Sequence, residues 1–172
     1  HGARPNLRIE LQTGTTASLV QKVRDYRLDA AFVGEPCDIE GLRSLAAFDE
    51  DLVLISSAGQ RDISDARDLA GETLLAFPLG CSYRRVLTDW IADAGERPDR
   101  IIELGSYHAI IACAAAGAGC GIVPASVLDT LNASLNVRRH ALPASVAGNR
   151  THLIWVDDPT PSLSMLIAHI RG

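Results

Sequence analysis

Short runs rich in Val, Ile and Leu alternate along this chain with segments whose apolar residues recur at helical spacing. That alternation leaves few architectures open, because helices that each bury one stripe against a sheet build layered α/β structures. Leu7, Ile9 and Leu11 alternate with Arg8 and Glu10, which predicts a strand over 7–11. Thr13, Gly14, Thr15 and Thr16 follow as a turn with good helix N-caps, and Leu19, Val20, Val23 and Tyr26 then recur at helical spacing. Residues 29–33 predict a buried strand ended by Gly34, which would complete a βαβ unit.

Two more strands are expected over 43–48 and 51–57, separated by the polar pair Asp49 and Glu50. Ser64 or Asp65 can cap a short helix ending at Gly71, and 73–77 predicts a strand stopped by Pro78. A second series then begins. Gly80, Cys81 and Ser82 lead into a helix with Tyr83, Leu87, Trp90, Ile91 and Ala94 on one face, ended by Gly95. A strand over 100–104, a helix capped by Gly105 and Ser106 and running to Ala116, and a short strand at Ile122 and Val123 come next. A strand over 136–142, a turn at Gly148 and Asn149, a strand over 153–156 and a helix from Pro161 to Ile170 complete the chain. The whole pattern predicts an α/β protein with mostly parallel pairing, whose two βα series could form two lobes.

Composition narrows the function. Of 172 residues 47% are apolar, enough for a substantial core. The formal net charge of −5 makes the chain a poor surface for a phosphate backbone by itself. No signal peptide is recognisable, and no uninterrupted apolar run approaches the ~18 residues of a membrane span, so a cytoplasmic protein without membrane contact is expected. Cys37, Cys81, Cys113 and Cys120 are scattered without a CxxC pair, which argues for reduced thiols and against a zinc site. No cofactor or metal is expected.

Several segments, in order, resemble one family. Pro5 through Leu11 resembles an opening Pro-x-apolar-x-apolar strand, and 14–33 a first helix with the Asp-x-Ala-apolar-apolar strand after it. Asp68, Leu69, Ala70 and Gly71 resemble an Asp-Leu-x-Gly segment. Residues 114–124, with Gly117, Gly119, Gly121 and Pro124, resemble an Ala-Gly-x-Gly-apolar-x-apolar-Pro hallmark. Together they are similar to the effector-binding domain of LysR-type transcriptional regulators. The His-Pro-Leu common after that family's fourth strand is replaced here by Ser57, Ala58, Gly59 and Gln60. The resemblance implies two Rossmann-like lobes joined by two crossover strands, as in type II periplasmic binding proteins. Lobe I would be 1–75 with 149–172 and lobe II 76–148, with an effector cleft between them. It also implies that the family's N-terminal winged helix-turn-helix is absent from this chain, so that DNA is met only through that missing domain. A homodimer of this domain, and a tetramer at full length, are implied as well.

The residues point to the same places without the family. Three helices begin just after strands, at Thr15, Ser82 and Ser106. Each start offers unpaired backbone N–H groups and a partial positive charge, suited to a small organic anion, most simply a carboxylate. Together with what the resemblance implies for Tyr107, His108 and Gly121, the candidate ligand-binding set is Thr13, Gly14, Thr15, Thr16, Gly34, Cys81, Ser82, Tyr83, Arg84, Ser106, Tyr107, His108, Gly121 and Ile122. Arg84 and Arg85 fall in a first helical turn, where cations are unfavourable, so they call for a reason. A carboxylate clamp by Arg84 is one, and solvated surface side chains are the other. Cys81 at a helix start could be a thiolate redox sensor or an ordinary lining residue.

The glycine run 117–121 is not a dinucleotide fingerprint, because helix precedes it and strand follows, the reverse of that motif. Its expected role is a helix C-cap and tight turn, with Gly121 allowing close approach of a ligand as the resemblance implies. His108 has no partner at triad spacing, and Glu35, Asp49, Glu50 and Asp51 read as strand-end solvation rather than acid/base pairs. The expectation is an effector-sensing domain without catalysis. A solute-binding protein of the same fold, and an enzyme on it such as a dehydratase or deaminase, are the alternatives.

Overall fold

The computed structural model describes residues 8–34, 39–131 and 136–171. Its backbone divides into two compact units, His1–Phe48 with Thr151–Gly172 and Asp49–Arg150. In the first unit, α1 (Thr16–Arg24) precedes β1 (Ala31–Gly34), and α6 (Pro161–Arg171) follows β7 (Gly148–Trp155). β1 and β7 pair antiparallel, Ala31 opposite Ile154 through Gly34 opposite Thr151. Strand alternation sends Ala31, Val33 and Ile154 to one face, where Leu19 and Val23 of α1 cover them. Leu153 and Trp155 face the other way, under Leu163 and Ile167 of α6.

The second unit repeats this layering on a larger sheet. β2 (Arg43–Ser57) pairs antiparallel with β5 (Gly121–Pro124) and β6 (Val137–Ala141). β3 (Thr73–Ala76) pairs in parallel with β4 (Arg100–Glu103), and a single parallel bridge from Leu74 to Cys120 joins the two sets. α2 (Ser82–Asp93) covers one face through Leu87 and Ile91, which meet Leu52, Leu54, Leu74 and Ile122. α3 (Tyr107–Ala115) and α4 (Ala125–Thr130) cover the other, Ile110, Ile111 and Leu128 against Ile55, Leu75 and Val123. Leu54 and Ile55, adjacent in sequence, thus serve opposite cores, each fully buried and worth about 1.5–3 kcal/mol of hydrophobic transfer. Burial pushes the Cys120 thiol up to about 11, so it acts as a small apolar side chain.

Several expectations change. Residues 8–11 form no strand, with Ile9 and Leu11 at 55% and 90% exposure, because alternation alone, without a ladder neighbour or a face to bury, does not hold a strand; Leu7 lies outside the described residues. Residues 43–57 are one strand rather than two: Asp49 and Glu50 meet polar partners, so they do not interrupt the ladder. Gly148 and Asn149 open β7 instead of turning, and the short helices α4 and α5 (Ala144–Ala147) were not expected. β3–β4 and the Leu74 bridge are parallel, whereas β1–β7, β2–β5 and β2–β6 are antiparallel. β2 and β7 run directly from one unit into the other without a helical crossover, which frees them from parallel pairing. The first crossing falls at residue 48 rather than 75: 49–57 pairs with β5 and β6, and β3 with β4, so this stretch packs in the second unit.

Capping follows the sequence closely. Asp65 accepts from the Arg67 N–H at 2.9 Å, and Asp68 accepts back from the Asp65 N–H at 3.1 Å, around a single 3-10 turn over Ala66–Leu69. Backbone donors from Ser64 and Asp65, then the Arg61 guanidinium, lower the Asp68 carboxyl to about 2.

The glycine run has a packing role. Gly119 has φ +154, and a Cβ there would lie 2.3 Å from the Thr73 carbonyl oxygen; one on Gly121 would lie 2.6 Å from that of Leu75. Only bare backbone lets β5 approach β3 this closely. The space a Gly121 side chain would need is taken by the Leu75 backbone and Ile110. Gly119→Ala should destabilise the domain by about 2–4 kcal/mol in denaturant unfolding. Gly59→Ala, with open space around its Cβ, should stay within about 0.5 kcal/mol of wild type. Equal stability of the two variants would contradict this packing.

Candidate functional site

In the second unit α2 follows β3 and α3 follows β4, and these two strands are parallel. Both helices therefore start beyond the carboxyl ends of neighbouring strands, the place where open α/β sheets gather ligands. Ser106 caps α3, its Oγ accepting from the Ala109 N–H at 3.2 Å. Cys81 occupies the N-cap of α2 without a side-chain cap bond, and Ser82 behind it is buried. A narrow crevice without room for a water molecule is lined here by Leu75, Ala76, Phe77, Tyr83, Arg84, Leu87, Ile110 and Ile122. Tyr107 stands edge-on to Phe77 with ring centres 5.0 Å apart and lies 6.1 Å from Tyr83.

Of the expected residues, this unit brings together Cys81, Ser82, Tyr83, Arg84, Ser106, Tyr107 and Ile122 around the starts of α2 and α3. His108 is exposed in the first turn of α3. Thr13, Gly14, Thr15, Thr16 and Gly34 belong to the first unit. There Thr15 caps α1, accepting from the Ser18 N–H at 3.3 Å, Thr13 is exposed, and Gly34 ends β1 opposite Thr151.

Arg84 has an occupation that the sequence did not disclose. Its Nη1 donates to the Glu103 carboxylate and, at 3.3 Å, to the Phe77 carbonyl, and its side chain is 12% exposed. The guanidinium thus ties the ends of β3 and β4 to the first turn of α2. Glu103 supplies the reason for a cation at a helix amino end, where the helix dipole alone would disfavour it.

A second polar group was also missed. The Tyr83 hydroxyl donates to Glu50 Oε2 at 2.7 Å, and Asn149 Nδ2 donates to the same oxygen at 2.9 Å. Glu50 and Asn149 sit on β2 and β7 where those strands lie in the second unit, next to the Asp49–Arg150 ion pair at 2.6 Å. Burial, reinforced by Tyr107 and Glu50, holds the Tyr83 phenol far above its ordinary range. Burial likewise pushes Tyr107 up to about 12. Both phenols keep their protons at neutral pH. The sequence reading left Glu50 to solvent because its partners lie 33 and 99 residues away.

One constellation has the distances of a hydrolytic triad. Ser56 Oγ lies 2.7 Å from His140 Nε2, and His140 Nδ1 lies 3.1 Å from Asp62 Oδ1. Ser56 and His140 are 1% and 2% exposed, closed to any substrate. The Ile63 N–H also donates to Nδ1 at 3.1 Å, which in the neutral ring places the proton on Nε2 and aims it at Ser56. A nucleophilic serine needs the opposite tautomer, so this is a buried polar clasp between β2, β6 and the 58–63 segment. Among the described residues no group of three His, Cys, Asp or Glu side chains could hold a metal ion, and no helix is long and apolar enough to cross a membrane. Cys81, Cys113 and Cys120 are free thiols, and Cys37 lies outside the described residues.

The Arg84 contacts carry a measurable cost. Arg84→Met keeps the aliphatic packing and removes both contacts, and should lower unfolding free energy by about 1–2 kcal/mol. An unchanged denaturation midpoint would mean that the ion pair is fully offset by solvent.

Comparisons with known proteins show the fold and the family. The model of the LysR substrate binding domain matches residues 1–172. The HTH-type transcriptional regulator GltR of Bacillus subtilis (strain 168) is 33% identical over 169 residues, 97% of this chain and 57% of that protein. The chain thus spans little more than half the length of this relative, which is named a transcriptional regulator. Among solved structures, the Synechocystis PCC6803 CcmR regulatory domain in complex with 2-PG has TM-score 0.86 at 16% identity, over 98% of this chain and 84% of that one. The BenM effector binding domain with its effector benzoate has TM-score 0.76 at 22% identity, over 99% and 80% respectively. These two likenesses establish the shared fold, and the match over the full chain establishes the family. The chain belongs to the LysR substrate-binding domain family.

Proposed function

We propose that this domain senses a small organic anion, in the first instance a carboxylate, at the amino ends of α2 and α3. The observation that carries the reading is the start of both helices at the carboxyl ends of the parallel pair β3–β4, around one crevice. Backbone N–H groups of the two first turns, with the Ser82 and Ser106 hydroxyls, would hold the anion. Tyr83, Tyr107 and Ile122 would flank its body, with Cys81 at the rim. Arg84 would act chiefly by holding the strand ends in place. The amino end of α1, with Thr13, Gly14, Thr15 and Thr16, and the neighbouring Gly34 are a separate part of the proposal, in the first unit.

The anions named with two proteins of this fold, benzoate and 2-PG, support the ligand class. In the full-length regulator, ligand binding would bias the geometry of a homodimer or tetramer of this domain and so position DNA-binding domains that lie outside this chain. A carboxylate bound only by the folded state raises the thermal midpoint, so a thermal-shift screen identifies the effector class. The Ser82→Ala/Ser106→Ala double variant should weaken any hit by roughly tenfold, equivalent to ~1.4 kcal/mol. Undiminished affinity in the double variant would place the site elsewhere.

A further inference from the structure

Arg84 is held from two sides that differ in kind. The Phe77 carbonyl, 3.3 Å from Nη1, is backbone just past the end of β3 and stays where the strand puts it. Glu103, the other acceptor of Nη1, is the last residue of β4, and its side chain is 50% exposed against 12% for Arg84. Water can take up the Glu103 charge when that side chain swings outward, whereas the mostly buried guanidinium needs an acceptor put in its place. Among the described residues that line the crevice Arg84 alone is charged, and the crevice is too narrow for a water molecule. An anion cannot simply be added beside this cation. It has to take a position that is already filled, and Glu103 fills the one that solvent can release.

We infer that Glu103 is an internal competitor: it occupies on Arg84 the place of the effector's carboxylate and is displaced when the effector binds. This rests on the reading of the α2 and α3 starts as the effector site. The exchange sets one carboxylate in place of another, so the guanidinium keeps a charge-assisted hydrogen bond throughout. Phe77 retains its hold on Nη1, and the end of β3 remains tied to α2. Arg84 is the third residue of α2, so a carboxylate on its guanidinium also lies within reach of the amides of that first turn. Binding thus replaces the tie between β4 and α2 by a tie between α2 and the ligand. Glu103 thereby sets the affinity, because every effector is opposed by the strength of the internal ion pair.

Isothermal titration tests the exchange, with acetate, propionate, benzoate and phenylacetate as probes. The proteins are the wild type, Glu103→Gln, Arg84→Met and the Arg84→Met/Glu103→Gln double variant, each checked for folding by circular dichroism. Glutamine keeps the size of Glu103 and removes its charge. At least one acid should bind Glu103→Gln roughly fivefold tighter than the wild type, ~1 kcal/mol. Without Arg84 there is nothing to compete for, so in the Arg84→Met background Glu103→Gln should bring a gain of less than about twofold. Carbon-13 NMR of the Glu103 carboxyl in the wild type reads the same event without Arg84→Met: the signal should move towards that of a free carboxylate as the acid is added. An equal gain in both backgrounds means simple repulsion by Glu103 and overturns the exchange. So does an unmoved Glu103 signal at saturation, or the absence of binding by all four acids. Unchanged affinity in Glu103→Gln, with binding that still weakens in Ser82→Ala/Ser106→Ala, rejects the competition alone. Binding independent of both serines rejects the site, and the competition with it.

Discussion

Parallel pairing of β3 with β4, Thr73 opposite Arg100 through Ala76 opposite Glu103, is the constraint from which the site follows. Two parallel neighbours end on the same side, so the helices that continue them begin on the same side. Four more contacts keep those ends in place. Gly119 and Gly121 let β5 sit against β3 at a distance that excludes a side chain. The Arg84 guanidinium holds the Phe77 carbonyl and Glu103. Without these contacts the amino ends of α2 and α3 would still exist as local features but would have no reason to face one crevice.

Charge at this site is divided between backbone and side chains. The helix amino ends supply partial positive charge that costs no side-chain entropy to position. Glu50 and Glu103 supply full negative charges and are satisfied internally, by Tyr83 and Asn149 in one case and Arg84 in the other. An anion bound at these helix starts, as proposed, would meet fixed dipoles. In the buried Ser56–His140 clasp, triad-like distances without access or the required tautomer make a structural contact.

Much of this was legible in the sequence. The caps at Thr15, Asp65 and Ser106, the α2 and α3 helices, and the left-handed glycines at 71, 95 and 117 all follow from local chemistry, which a linear reading captures. Pairing direction, the unbroken β2 and the partners of Arg84 and Glu50 did not follow. Each depends on residues far apart in the chain, such as Glu50 with Asn149 or Gly121 with Leu75. The starts of α2 and α3 follow from the sequence, whereas the internal partners of Arg84 and Glu50 do not. Residues 8–11 erred in the opposite sense: their alternation is local and real, but no partner among the described residues gives it a ladder.

The account stands on the claim that the first turns of α2 and α3 bind the effector, and amide-resolved NMR titration tests it most directly. Addition of a carboxylate identified by its thermal shift should move the backbone amides of Ser82, Tyr83, Arg84, Tyr107 and His108 furthest, because these N–H groups would donate to the anion. Largest displacements elsewhere, with these five amides unmoved, would contradict it.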